Sequence, residues 1–420
     1  MDKDLIKVLI AEYQQKAASV DFQKRTYLLE DPLNYVFVGL RRAGKSYMMF
    51  QQIRHLLEMG HEKEEILYFN FEDDRIASLD TNDLDLIKVC YEEMYDCKPI
   101  FCLDEIQIVE HWEKFARRLA DQHYRVYITG SNAKMLSSEI ATTLGGRYMI
   151  QKIYPYSFME YLISQGIEMS DKNAVYRYRK EIVKAYETYF RFGGLPELTL
   201  IADKRGWLSS LYQKIFFGDL ISRYKIRNDF ALRLLIRKVA ESIKQASSFN
   251  RFANVVSSAG KKISTDTVID YLAYLQDTWL VFPIENVQAK LAEKESNKKY
   301  YFIDNGLLTL FLIDPVTSLL ENQVAVQLRR LYGDDVYFYN RNVEVDFYIL
   351  EQQLAVQVSY SLKDVETRKK EIDALLALSK QMTVKRMMII TKDEEEIISN
   401  VDYTIEVLPI WKWLLSGPLS

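Results

Sequence analysis

The run Gly39-Leu40-Arg41-Arg42-Ala43-Gly44-Lys45-Ser46 constrains this chain more than any other feature. It fits the spacing G-x-x-x-x-G-K-[ST], with a short apolar strand entering at Tyr35 and a helix leaving at Lys45. A loop that wraps a phosphate with backbone N–H groups needs glycine where a side chain would block the approach. The candidate phosphate-binding residues are therefore Gly39, Leu40, Arg41, Arg42, Ala43, Gly44, Lys45, Ser46 and the adjoining Tyr47. In this geometry Lys45 reaches the outer phosphates and Ser46 offers its hydroxyl to Mg²⁺.

The residues that follow extend the pattern. Apolar strands are expected at 35–38, 66–71, 100–103, 125–129 and 148–154, with helical segments such as 45–59 and 111–122 between them. Strands separated by helix-length segments predict an α/β fold with a parallel sheet covered by helices on both faces. The third strand runs into Asp104-Glu105. Asp104 is placed to hold Mg²⁺ and Glu105 to orient and deprotonate an attacking water. A helix cap is the simpler use of such a pair, but the glycine loop upstream favours the catalytic one. The fourth strand ends in Thr129-Gly130-Ser131-Asn132, and Ser131 and Asn132 are candidates for sensing a terminal phosphate. Gly145-Gly146-Arg147 precedes the fifth strand, where Arg147 is a candidate for offsetting transition-state charge in a neighbouring copy.

Composition bounds the remainder. The chain has 420 residues, which predicts two to four domains. Lys and Arg total 55 against 59 Asp and Glu, a net charge of −4, so neither a polybasic tail nor a strongly acidic solvating chain is expected. No apolar run has the length of a membrane span, and no signal peptide is read at the amino terminus. Cys90, Cys97 and Cys102 form neither a metal spacing nor an even disulfide set, which predicts a reduced, cytoplasmic protein.

Downstream of Tyr156 the pattern turns helical, with a break at Gly193-Gly194-Leu195-Pro196. Residues 239–290 predict three helices and an extended pair, the third helix starting in the Ser264–Asp266 cluster. Residues 225–262 carry nine Lys or Arg against two acids, a local balance of 9 − 2 = +7. This order and charge read as a winged helix, with residues 264–275 as the recognition-like helix and Lys244, Arg251, Lys261 and Lys262 as contacts to DNA phosphates. Pairing of the basic face with acidic segments of the same chain is the alternative. The last stretch mixes strands at 300–303, 336–339, 343–350, 354–360 and 386–391 with helices at 321–332 and 363–378.

The segments GLRRAGKS (39–46), FCLDE (101–105), ITGSN (128–132), LGGR (144–147), IYPYSFMEYL (153–162) and FGGLPE (192–197) carry a family likeness. The chain resembles AAA+-type P-loop ATPases of an archaeal and bacterial ATP-binding group related to STAND NTPases. The resemblance implies a sheet order 5-1-4-3-2 and a helical lid coupled to nucleotide through the break at 194–196. It also implies a winged helix and a carboxy-terminal restriction-endonuclease-like α/β domain of PD-(D/E)XK type. In an active nuclease of that type Glu321, Asp346 and the position of Gln357 would collect Mg²⁺, with Glu344 nearby and a lysine at the position of Ser359. Gln357 and Ser359 depart from that pattern, so a non-cutting module is expected. The implied division is 1–30 helical segment, 31–155 ATPase core, 156–238 lid, 239–290 winged helix and 291–420 carboxy-terminal domain. The implied activity is Mg²⁺-dependent ATP hydrolysis in a homo-oligomer without membrane attachment, coupled to DNA binding or remodelling. An ATP-controlled signalling switch and an ATP-controlled nuclease are the rival functions.

Overall fold

The computed structural model describes residues 2–27, 29–131, 138–169, 171, 173–260 and 262–416. Asn132 and Lys261, both candidates above, lie outside the described residues. The chain divides into two compact units, one of residues 1–154 with 277–279, the other of residues 155–276 with 280–420.

In the first unit the elements alternate as the sequence pattern predicts: α1 (Lys3–Ser19), β1 (Asn34–Val38), α2 (Lys45–Glu58), β2 (Ile66–Asn70), α3 (Leu84–Met94), β3 (Ile100–Asp104), α4 (Trp112–Asp121), β4 (Val126–Gly130), α5 (Ser138–Leu144) and β5 (Tyr148–Lys152). The strands form one parallel sheet in the order β2-β3-β4-β1-β5, which is the order the family resemblance implies. All five residues of β3 and of β4 are buried, as expected for central strands covered on both faces. Stacked rings of Tyr35, Phe37 and Tyr127 bridge β1 and β4, with centroids 6.2–6.3 Å apart. Such a core fixes the register, so the carboxyl ends of β1, β3 and β4 come level. Of the segment expected to be helical over 1–30, α1 covers residues 3–19, and the described residues of 20–33 are not helical.

The second unit begins with α6 (Phe158–Ser164), α7 (Ala174–Arg177), α8 (Arg179–Phe192), α9 (Lys204–Lys214) with a π-helical continuation over Ile215–Ser222, and α10 (Asp229–Glu241). Then come β6 (Ser247–Ser248), α11 (Phe249–Ser258), α12 (Thr265–Asp277), β7 (Val281–Asn286), α13 (Leu291–Ser296), β8 (Asn297–Phe302), α14 (Asn305–Thr309) and α15 (Val316–Tyr332). The chain closes with β9 (Val336–Asn340), β10 (Glu344–Ile349), β11 (Leu354–Val358), α16 (Val365–Ser379), β12 (Arg386–Thr391), β13 (Glu396–Ser399), β14 (Thr404–Pro409) and α17 (Ile410–Trp413). Nine strands form one mixed sheet in the order β13-β14-β12-β11-β10-β9-β7-β8-β6.

The division expected at 290/291 falls inside the β7–β8 antiparallel hairpin. The same hairpin continues into the carboxy-terminal strands, because β7 pairs in parallel with β9 through Glu285–Tyr337 and Asn286–Phe338. Among the described residues no helix is long and apolar enough to cross a membrane.

Candidate functional site

The phosphate loop is built by two glycines at its ends. Gly39 has φ +154°, and a Cβ there would lie 2.1 Å from the Ile153 carbonyl oxygen, so β5 leaves room only for glycine. Gly44 caps α2 in the left-handed region at φ 96°. Between them Leu40 and Ala43 are fully buried, which anchors the loop to the core. The turn is closed by an Ala43 N–H donating to the Leu40 carbonyl at 3.1 Å. A buried cation from outside the motif holds it further: Arg25 donates to the Ala43 carbonyl at 3.1 Å, and Gln51 accepts from the Arg25 N–H at 2.7 Å. The first N–H groups of α2 therefore point from the loop with the positive end of the helix dipole.

Lys45 is buried, and its ammonium donates to the carbonyls of Gly39 at 3.3 Å and Leu40 at 3.2 Å. The Glu105 carboxylate lies 3.7 Å away. Next to this pair, the Ser46 hydroxyl donates to Asp104 at 3.1 Å. Asp104 is also held by Tyr68, whose hydroxyl donates at 2.8 Å, and by the Thr129 hydroxyl at the end of β4. The Glu105 N–H in turn donates to the Thr129 oxygen at 2.9 Å. Thr129 thus links the two acids and fixes how they diverge.

The two acids titrate in opposite directions. Burial pushes Asp104 up, and the Glu105 charge adds to this, against the hydrogen bonds from Thr129, Tyr68 and Ser46. Burial also opposes charge on Glu105, but Lys45, Gln107, Arg41 and Ser131 outweigh it and hold the carboxyl below its ordinary value. Glu105 stays ionised and able to accept a proton. It adopts left-handed backbone at φ 56°, an uncommon conformation for a side chain of this kind and one that collects at functional sites.

Ser131 is buried beside Glu105 at the end of β4. Arg41 lies 3.4 Å from Glu72, and Arg42 adopts left-handed backbone at φ 65°. The Tyr47 ring is half exposed and packs edge-on against Phe50. Arg147 is not part of this group. It precedes β5 at the end of the sheet where Asn34 begins β1, roughly 16 Å of strand from the loop, and it pairs with Asp121 at 2.5 Å. Sequence reasoning missed Arg25, Tyr68 and Gln107. Tyr68 had one readable signal, since it shares a strand face with Asn70, the residue beside Asp104 in the sheet.

A second group of carboxylates lies in the second unit. Lys299 on β8 is fully buried, and its ammonium stands 2.9 Å from Glu344, 3.5 Å from Glu321 and 3.5 Å from Asp346. Tyr301, two residues along the same strand, donates to Glu321 at 2.8 Å. Burial opposes the Lys299 charge, but the three carboxylates outweigh it and hold the ammonium protonated. Burial pushes Glu321 up to about 7 against the pull of Lys299. Gln357 accepts from the Asp346 N–H at 2.8 Å and donates to Glu371 at 2.7 Å, while Ser359 donates to the Ser361 carbonyl at 3.1 Å. The residues named above as a nuclease-type metal set thus converge, but on a lysine. Among the described residues no group of three or more His, Cys, Asp or Glu side chains is arranged to hold a metal ion.

The helix break at 193–196 is anchored within the same unit. Buried Asp304 accepts from the N–H groups of Gly194 and Gly306, each at 2.8 Å, and burial pushes its carboxyl up to about 6. The recognition-like helix α12 carries exposed Asp266 and Asp270 and no Lys or Arg, while the basic surplus of residues 225–262 is spread over the segment before it, with α10 itself at 3 − 2 = +1.

Residues 32–162 match a family described as an AAA domain, and residues 183–316 match a family described as a domain of unknown function. An uncharacterized protein of Methanocaldococcus jannaschii is 31% identical, covering 96% of this chain and 93% of its own. An uncharacterized protein of Haemophilus influenzae is 30% identical over 90% of this chain and 94% of its own. Among solved structures, a Walker-type ATPase of Pyrococcus abyssi superposes with a TM-score of 0.40 and 12% identity, covering 74% of this chain and 96% of that one.

Proposed function

Because this chain belongs to one family with those archaeal and bacterial proteins and carries an AAA-type domain, we propose that its first unit binds ATP with Mg²⁺ and hydrolyses it. The observation that carries this reading is the Lys45–Glu105 pair at 3.7 Å directly beside the Ser46–Asp104 pair at 3.1 Å. The residues fit the groups they would hold. The backbone of 39–44 gives an anion cradle, whose first residue must be glycine because a Cβ there would strike the Ile153 carbonyl. Ser46 and Asp104 offer a hydroxyl and a carboxylate, the hard oxygen donors Mg²⁺ takes alongside phosphate and water. Bound there, Mg²⁺ supplies neutralisation of phosphate charge.

The chain's own residues do the rest. The loop N–H groups and Lys45 bind phosphate oxygens, with Lys45 exchanging two carbonyls for them. Glu105, held ionised, orients the attacking water and accepts its proton. Ser131 and Thr129 fix the strand end that faces the transferring group. Arg147 lies too far from the loop of its own chain, so we assign it to a neighbour's nucleotide in a homo-oligomer. Glu105→Gln should keep ATP binding and lower turnover by about 10²–10⁴-fold. Unchanged turnover would remove Glu105 from the mechanism. Arg147→Ala should lower turnover of the assembled protein only, and an equal rate in diluted monomer would exclude the neighbour role.

A nucleotide-driven switch is the second reading. It is favoured by the bond from Gly194 to Asp304, which ties the helix break to the carboxy-terminal strands. Slow hydrolysis indifferent to DNA, with nucleotide-dependent assembly, selects it over DNA remodelling. Lys299 supports a carboxy-terminal module that does not cut nucleic acid.

A further inference from the structure

A cavity of about 460 Å³ opens between α9, α10 and the residues that follow α14. Its volume falls within the roughly 300–1,000 Å³ usual for small-ligand sites. Arg205, Arg233 and Arg237 line it together with Tyr212, Phe230 and Phe311, and no carboxylate is among its lining residues. Three cations around one concavity repel each other unless an anion joins them.

The arginines are placed rather than merely solvated. The Arg233 guanidinium lies over the Phe216 ring at 4.1 Å and over Phe217 at 5.3 Å, which fixes its plane. Its nearest acid, Asp229, is exposed and 3.7 Å away. Arg237 follows one turn later on the same face of α10. Tyr212 meets Phe311 edge-on at 5.0 Å, so the two rings form an angled aromatic wall of the cavity. Burial pushes the Tyr212 hydroxyl up to about 12, with Arg233 and Arg237 acting against it, which places both cations near that wall.

We propose that this cavity binds a nucleoside phosphate, with the planar base against Tyr212, Phe230 and Phe311 and the phosphate on Arg205, Arg233 and Arg237. Guanidinium groups match phosphate oxygens in pairs, and aromatic walls accept any base face. A free nucleotide and an exposed residue of a single strand share this chemistry. The site shares no residue with the phosphate loop and needs no ATP turnover.

The test uses the full chain carrying Lys45→Ala, so that the phosphate loop is silenced. AMP is titrated by calorimetry and a fluorescent oligothymidylate by anisotropy. Binding of either probe is expected, weakened about tenfold or more by Arg233→Ala with Arg237→Ala. Lys363→Ala with Lys369→Ala removes the same charge elsewhere and should leave binding within about twofold. AMP binding that displaces the strand identifies a free nucleotide as the ligand; strand binding without AMP binding identifies nucleic acid. If the first variant melts early, Arg205→Glu with Arg237→Glu at exposed positions repeats the measurement. Failure of both probes to bind, or equal binding by parent and arginine variants, overturns the proposal.

Discussion

Two buried lysines, one in each unit, meet carboxylates on opposite terms. Lys45 faces one carboxylate at 3.7 Å and two backbone carbonyls, beside a loop of N–H groups that favour anions. Lys299 faces three carboxylates, and Tyr301 adds a donor to one of them. The first ammonium can exchange weak carbonyl partners for phosphate. The second is saturated by charge, and releasing it would leave buried acids without a counter-ion. The difference teaches that counting lysines and acids does not locate chemistry; the number of charges around each ammonium does. It also explains how a set of residues suited to a metal site becomes a structural one: the cation is supplied by the chain itself.

The largest expected effect tests that contrast directly. Lys299→Met should lower stability by about 3–5 kcal/mol in urea unfolding, because it leaves buried Glu321 and its neighbour Asp346 uncompensated. Lys45→Met should cost about 1–2 kcal/mol while abolishing ATP binding. Equal stability losses would erase the distinction. Millimolar Mn²⁺ should then raise the melting temperature of Lys299→Ala and leave the parent protein unchanged. A metal response in the parent would mean that Lys299 does not hold the position.

The two sites also differ in how far they can be read from the sequence. The phosphate loop is local: eight consecutive residues carry the glycines, the lysine and the hydroxyl, and backbone geometry dictates their order. Asp104 and Glu105 follow from a strand that ends in two acids. The Lys299 cluster draws on residues 299, 321, 344 and 346, and nothing in the spacing says that β8 faces α15 and β10. Alternation along β8 puts Lys299 and Tyr301 on one face, yet a lysine in a strand is more often solvated. The support of Asp104 by Tyr68 is hidden for the same reason, since it requires knowing that β2 and β3 are neighbours. β13 is a four-residue edge strand too short to show a period, while β14 alternates cleanly, with Ile405 and Val407 buried between Thr404, Glu406 and Leu408, so its strand signal was there to be read. Arg147 was found by its motif, but only the register of β5 on β1 shows which end of the sheet it occupies.

The next effect sharpens the electrostatics of the second unit. Burial pushes Glu371 up to about 7 from an ordinary 4.5, and the Asp346 charge adds to this against Lys370 and Gln357. The folded carboxyl therefore takes up a proton before the unfolded one does. Its contribution to stability is full below pH ~4.5 and is lost as the pH rises through 7. Glu371→Gln keeps the shape and removes that loss. At pH 8 the variant should be more stable than the parent by about 1–2 kcal/mol, after allowing for solvent screening, and at pH 5 the gap should close. A gap that does not change between pH 5 and pH 8 would show that Glu371 does not titrate in this range.

The smallest effect compares two tyrosines that serve acids in the two units. Tyr68 donates to Asp104 and Tyr301 to Glu321, both at 2.8 Å. If the first acid works with Mg²⁺ and the second only balances Lys299, the same deletion should read out differently. Tyr68→Phe removes a bond that favours the ionised Asp104, so its carboxyl should titrate still higher and hold the ion less well. The Mg²⁺ concentration for half-maximal turnover should rise about tenfold, while turnover at saturating Mg²⁺ stays close to that of the parent. That split separates Tyr68, which positions a ligand, from Glu105, whose removal lowers turnover at every Mg²⁺ concentration. Tyr301→Phe should leave the Mg²⁺ dependence of turnover unchanged and lower stability by about 1 kcal/mol. Were Tyr301→Phe to shift the Mg²⁺ curve as Tyr68→Phe does, the second cluster would belong to the catalytic cycle and the division between the two lysines would fail.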